Sequence, residues 1–234
     1  MAPLAGPPGL DALLDDQPGL RARPAPSGLL RVEGDVRFRA APLGLPEIED
    51  VFHLRIDVPL AFPDVVPIVA EIGGRIPRDD EAAHLYDDGS FCLGAPLRLL
   101  LIAKDDPSVL AFFDRCIVPA LYNAAYRERH GGRLPLGELA HGSGGELDDY
   151  VELFGVQTYG QALDALRLAG TKRRDANKRP CPCGCGRRLG VCRTNDRVRH
   201  VRNTVGRPQS RRFADRLVAR LQHEIAAAEN NDRS

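Results

Sequence analysis

Residues 30–72 read LRVEGDVRFRAAPLGLPEIEDVFHLRIDVPLAFPDVVPIVAEI, and their patterning decides the expected fold. Leu30, Val32, Val36, Phe38 and Ala40 alternate with Arg31, Glu33, Asp35, Arg37 and Arg39, the period of two of a half-buried strand with one wet face. A second run puts Ile48, Phe52, Leu54, Ile56, Val58 and Leu60 on one parity, with Gly44 and Pro46 as turn material between the two. His53 falls on the polar parity and reads as an exposed strand histidine. Val65 to Ile72 is apolar on both parities apart from Glu71, the pattern of a more buried strand, and Gly73-Gly74 closes it. Three strands with short connections predict an antiparallel meander.

Upstream, residues 1–28 are rich in Pro, Gly and Ala and read as a loose lead-in with a helical hint at Leu10 to Asp15. Downstream, Arg75 to Lys104 reads as irregular. Pro107 then suits the first position of a helix capped by Asp106, with Val109, Leu110, Phe113, Ile117, Leu121 and Ala124 or Ala125 at helical spacing. Cys116 lies beside that stripe, the place of a small buried hydrophobe. Residues 130–145 form a long glycine-rich loop containing Glu138 and His141, helices are expected at Glu146 to Phe154 and Gln157 to Leu168, and a last helix runs from Gln209 to Glu229. The expected fold class is α+β: an antiparallel β-meander with flanking helices over residues 29–170, a basic linker at 171–180, and a small zinc-binding element with a terminal helix at 181–234.

With 43% apolar and 27% charged residues, the 234-residue chain can bury one core and carry a small annex. Nowhere do eighteen apolar residues run together, and MAPLAGPPGLDALLDD lacks a basic n-region and an unbroken apolar stretch, so a soluble, unexported protein without a membrane partner is expected. The zero net charge hides a division. Residues 1–170 carry 15 Lys and Arg against 26 Asp and Glu, a net of −11, and residues 171–234 carry 17 against 6, a net of +11.

Four of the six cysteines fall within twelve residues: Cys181, Cys183, Cys185 and Cys192. A disulfide framework would spread them; this spacing gathers thiolates around one tetrahedral ion such as zinc, in a reducing compartment such as the cytoplasm. The run Cys181-Pro-Cys183-Gly-Cys185-Gly with Cys192 downstream resembles the SEC-C motif, a short zinc-binding element of many bacterial proteins. The resemblance implies a fourth ligand next to Cys192, where this chain has Arg193, which cannot coordinate. Cys185 or His200 can replace it, or the site is open. The arginines around the cluster make it a candidate for docking on an acidic protein, the ribosome or nucleic acid, and its lack of aromatics removes any platform for base stacking.

Cys92 stands apart. Pro59, Phe62-Pro63, Pro67, His84, Gly89 and Phe91-Cys92-Leu93 follow one another in an order similar to the core of the ubiquitin-conjugating enzyme family, over about residues 29–130. The likeness is greatest to bacterial relatives, some of which serve ubiquitin-like conjugation systems linked to phage defence. It implies that Cys92 accepts a ubiquitin-like protein from an activating enzyme as a thioester, and that His84 orders the flap or polarises the carbonyl. Leu85-Tyr86 replace the family's Pro-Asn, whose Asn supports the oxyanion, and the interval from His84 to Cys92 is shorter. Transfer then uses another oxyanion donor, or catalysis is lost. Asp87, Asp88, Asp105 and Asp106 are candidates to deprotonate the attacking amine, and caps or solvated turns explain them equally. The alternatives are a non-catalytic scaffold of the same architecture and a zinc-dependent adaptor acting through the basic C-terminal module.

Overall fold

The structure is a computed structural model that describes residues 6–26, 28–77, 85–86, 88–132, 134–137 and 142–231. It is α+β, with a four-stranded antiparallel sheet and flanking helices, in two compact units. Met1–Gly94 with Ile102–Glu138 form the first, and Ala95–Leu101 with Leu139–Ser234 the second. The charge boundary near Gly170 lies inside the second unit.

In the first unit the strands β1 (Leu20–Ala25), β2 (Leu29–Ala40), β3 (Ile48–Pro59) and β4 (Ile68–Glu71) pair in chain order, the meander expected from the patterning. β2 and β3 stay in register from Leu29 opposite Pro59 to Ala40 opposite Ile48. Val32, Val36 and Phe38 of β2 and Ile48, Phe52, Leu54, Ile56 and Val58 of β3 are buried, so the period of two reports the core face faithfully. Leu60, on the same parity, lies past the strand and is exposed. The third expected strand is shorter than its apolar run. Asp64 and Val65 complete turns begun at Ala61, Pro67 has no N–H to give a ladder, and Ile68 is exposed at the strand's first position. Past β4 the carboxylate of Glu71 accepts the backbone N–H groups of Gly73, Arg75 and Ile76. A Cβ at Gly73 would stand 2.6 Å from that carboxylate, so a larger residue there would displace the Glu71 side chain from these contacts.

The expected lead-in is more ordered than its composition suggests. It contains the helix α1 (Leu10–Asp16), close to the hinted span, and the edge strand β1; Leu13 and Leu20 are buried. The stretch read as irregular includes the helix α2 (Pro96–Asp105). The next helix starts later than predicted: Ser108, not Asp106, caps α3 (Val109–Phe112) by accepting the Ala111 N–H. A π turn at Phe113–Ile117 then leads into α4 (Val118–His130). Pro119 cannot donate to the preceding turn, and the wider π turn accommodates it. The extra residue advances the buried face, so Phe112 joins Phe113, Cys116 joins Ile117, and Tyr122 joins Leu121. Tyr122 donates its hydroxyl to the Pro46 carbonyl, and Arg75 pairs with Asp50 of β3 and Glu128 of α4, fixing that helix to the sheet.

The second unit is helical. α5 (Gly142–Phe154), α6 (Tyr159–Ala169), α8 (Thr194–Val205) and α9 (Arg207–Asn231) pack around Leu147, Tyr150, Phe154, Leu166, Val201 and Leu217, and the short α7 (Arg173–Ala176) lies within the expected linker. α5 begins inside the glycine-rich stretch read as loop, where Glu224 accepts the Ser143 N–H. α8 is absent from the sequence-based expectation. On α9, Phe213 and Leu217 are buried, whereas Ile225 is exposed.

Candidate functional site

The cysteine cluster is built from a tight knuckle between α7 and α8. Pro180 and Arg188 bridge antiparallel, and the Cys181 N–H donates to the Arg187 carbonyl at 2.8 Å. Gly184 and Gly186 hold φ of 77° and 72°, which lets the loop reverse direction twice between ligands. A 3-10 turn at Leu189–Val191, anchored by the fully buried Leu189, returns the chain so that the Cys192 N–H donates to the Leu189 carbonyl.

The four Sγ atoms of Cys181, Cys183, Cys185 and Cys192 lie within 4.8 Å of one another and could hold a metal ion. Separations are 3.2 Å for Cys181–Cys183, 3.6 Å for Cys183–Cys192 and 3.8 Å for Cys185–Cys192. Tetrahedral thiolates at the zinc–sulfur distance stand about 3.8 Å apart, so the donor set and its size fit a thiophilic, four-coordinate ion. Cys181 and Cys192 are buried, Cys183 is half-buried and Cys185 is exposed. Burial pushes the Cys181 thiol up to about 12. Cys183 is lowered, first by its hydrogen bond with Cys181. Cys192 is brought down to about 6, chiefly by the Thr194 backbone N–H at the start of α8. A cavity of about 410 Å³ borders Cys183, Cys185 and Cys192, with Arg187 and Arg193 on its wall. Cys185 thus lies with the other three thiols, whereas His200 is exposed on α8 and outside the cluster. Thr194 is a neighbour of the cluster that the sequence reading overlooks; its place at a helix start two residues after Cys192 is the available signal.

Cys92 belongs to the first unit, at the outer edge of the sheet. Ser90 bridges Ala70 of β4, and the Phe91 N–H donates to the Val69 carbonyl at 2.8 Å, extending the ladder by one short step beyond β4. Leu85 bridges Phe91 in a small hairpin, with Gly89 at φ 79° in its turn. Phe91 is buried beneath, and Cys92 is half-buried directly after it. The Tyr86 hydroxyl donates to Cys92 Sγ at 3.4 Å.

No family model, curated protein or solved structure matches this chain.

The other candidates separate clearly. His84, Asp87, Glu138 and His141 lie outside the described residues. Asp88 accepts the backbone N–H and hydroxyl of Ser90, which lower its pKa, so it serves as the turn residue of the hairpin. Asp106 pairs with Arg115 at 2.9 Å. His53 is an exposed strand histidine 2.7 Å from Asp35. Cys116 is buried, and burial pushes its thiol up to about 12. Among the described residues no helix is long and apolar enough to cross a membrane.

Proposed function

We propose that this chain is a ubiquitin-conjugating-enzyme-like transferase that carries a ubiquitin-like protein as a thioester on Cys92, in a bacterial conjugation system of the cytoplasm, and that a zinc ion held by Cys181, Cys183, Cys185 and Cys192 stabilises its basic C-terminal module. The observation that carries the first part is the setting of Cys92: half-exposed at the rim of an antiparallel meander, two residues past the Ser90 bridge to β4, with a hydroxyl donor at its sulfur. That setting agrees with the ordered prolines and the Phe91-Cys92-Leu93 run of the family resemblance.

The Cys92 thiolate attacks the carbonyl of a thioester held on an activating enzyme. A new carbon–sulfur bond forms, the old one breaks, and the enzyme's cysteine leaves as its thiolate. An acceptor amine then attacks the Cys92 thioester, loses a proton to solvent or a nearby base, and expels Cys92. The thioester is already activated, so a strongly acidic thiol is unnecessary.

The test is incubation with an activating enzyme, nucleotide and the ubiquitin-like protein. A reductant-sensitive adduct, lost in Cys92→Ala, is expected. No adduct, or one that persists in Cys92→Ala, removes the proposal and leaves a non-catalytic scaffold.

A further inference from the structure

The second unit gathers positive charge away from the thiols. Lys172 and Arg173 at the start of α7, Arg202 and Asn203 on α8, and Arg207 at the start of α9 line one open pocket of about 570 Å³. None of these five is acidic; Asp175, the carboxylate on α7, is exposed and outside the lining.

Arg202 is the unusual member. It is 8% exposed, and its Nε and Nη2 donate to the Ala169 and Leu168 carbonyls at 3.2 and 2.7 Å, closing the end of α6. Its Nη1 is buried with no hydrogen-bond partner. Carbonyls satisfy two donors and leave the cation's charge unneutralised. Burial lowers the Arg202 pKa, and the like charges of Arg173 and Arg207 lower it further. Among the described residues no carboxylate pairs with Lys172, Arg173, Arg202 or Arg207, whereas Arg98, Arg167, Arg199 and Arg220 of the same unit each meet an Asp or Glu.

Four cations around a recess repel one another unless an anion sits among them, and a multiply charged oxyanion with several acceptor oxygens matches planar guanidinium forks best. We propose that this pocket binds a phosphate group, contacted by Lys172, Arg173, Asn203 and Arg207 above the buried charge of Arg202. The group is a free phosphate compound or one unit of a nucleic-acid backbone, which share this chemistry.

Calorimetry with inorganic phosphate and pyrophosphate, and fluorescence anisotropy with a labelled twelve-nucleotide single-stranded RNA, test this on the full chain at fixed ionic strength. Saturable binding of at least one probe is expected, weakened about tenfold or more by Arg173→Gln and by Arg207→Gln, each a lost charge-assisted contact. Both side chains are at least partly exposed, so the fold should persist, which thermal melting checks. The control is Arg216→Gln, an exposed arginine of α9 outside the lining, which should leave binding within twofold. Pyrophosphate bound as tightly as RNA assigns the pocket to free phosphate compounds; tighter RNA binding, steeply weakened by salt, assigns it to a backbone. No saturation by any probe overturns the proposal, and so does a loss in Arg216→Gln equal to that in Arg207→Gln, which would mean diffuse attraction to a basic surface.

Discussion

Cys92 and Cys116 are the two cysteines outside the cluster, and their surroundings set opposite reactivities. Cys116 is buried in the helix stripe, and burial alone pushes its thiol up to about 12; Cys92 is half-exposed with a hydroxyl at its sulfur. Iodoacetamide at pH 7.5 should therefore alkylate Cys92 in the folded protein and spare Cys116, as peptide mass spectrometry would read; equal labelling contradicts these environments. A second residue with a measurable burden is Asp50. The Arg75 guanidinium, at 2.8 Å from both of its oxygens, holds its carboxyl well below the usual carboxylate range, with Arg129 also donating. Its folded pKa is thus lower than its unfolded one. The stabilisation is complete above the unfolded value and is lost as the pH falls toward the folded value. Asp50→Asn should cost about 2 kcal/mol in urea unfolding at pH 7, with a smaller gap from wild type near pH 3. The cysteine spacing made the convergence of four thiols legible from residue types alone, while the exclusion of His200 from the cluster required the knuckle's geometry. Arg202 was not legible, because nothing in the identity of an arginine says that it is buried.

At the scale of elements, α6 begins with a reciprocal cap. Thr158 Oγ1 accepts the Gln161 N–H at 3.3 Å, and Gln161 Oε1 accepts the Thr158 and Gln157 N–H groups. Thr158→Ala should destabilise the second unit by about 1 kcal/mol, read as a lower denaturation midpoint, and Thr158→Ser should restore most of it. Elements with one clean hydrophobic period were readable: β2, β3, α6 and most of α9. Those that failed lacked such a period for definite reasons. β1, LRARPA, buries only Leu20 and exists through its pairing with β2, a partner that alternation within the strand cannot reveal. In α2 the run Leu99-Leu100-Leu101 is buried whole, so no polar face marks a helix. α8 places Val198, Val201 and Val205 on one side of a strongly basic segment, and the charge obscures their spacing. Residue type alone does not separate Ser108 from Asp106, an equally good cap two positions earlier; the hydrogen bond to Ala111 decides between them.

For the whole molecule, the thiol cluster adds folding free energy to a segment, 180–193, whose only fully buried apolar side chain is Leu189. Metal binding at such a site would be coupled to folding. Protein purified under reducing conditions should hold about one zinc per chain by elemental analysis, since the described residues contain one cluster of four thiols. Removing it with a strong chelator should lower the melting temperature, and Cys181→Ser should copy the loss; a metal-free wild type of equal stability would exclude the ion. The interleaved course of the chain has a further consequence. Ala95–Leu101 belongs with the helical unit although 37 residues of the sheet unit, Ile102–Glu138, follow it before the chain returns. A gene cut after codon 138 therefore yields a piece in which Leu97, Leu100 and Leu101 have lost their cover, and a partner piece missing part of its own interior. Neither half is a natural module, so evolution could exchange the sheet unit or the helical one only by carrying this seven-residue insert along.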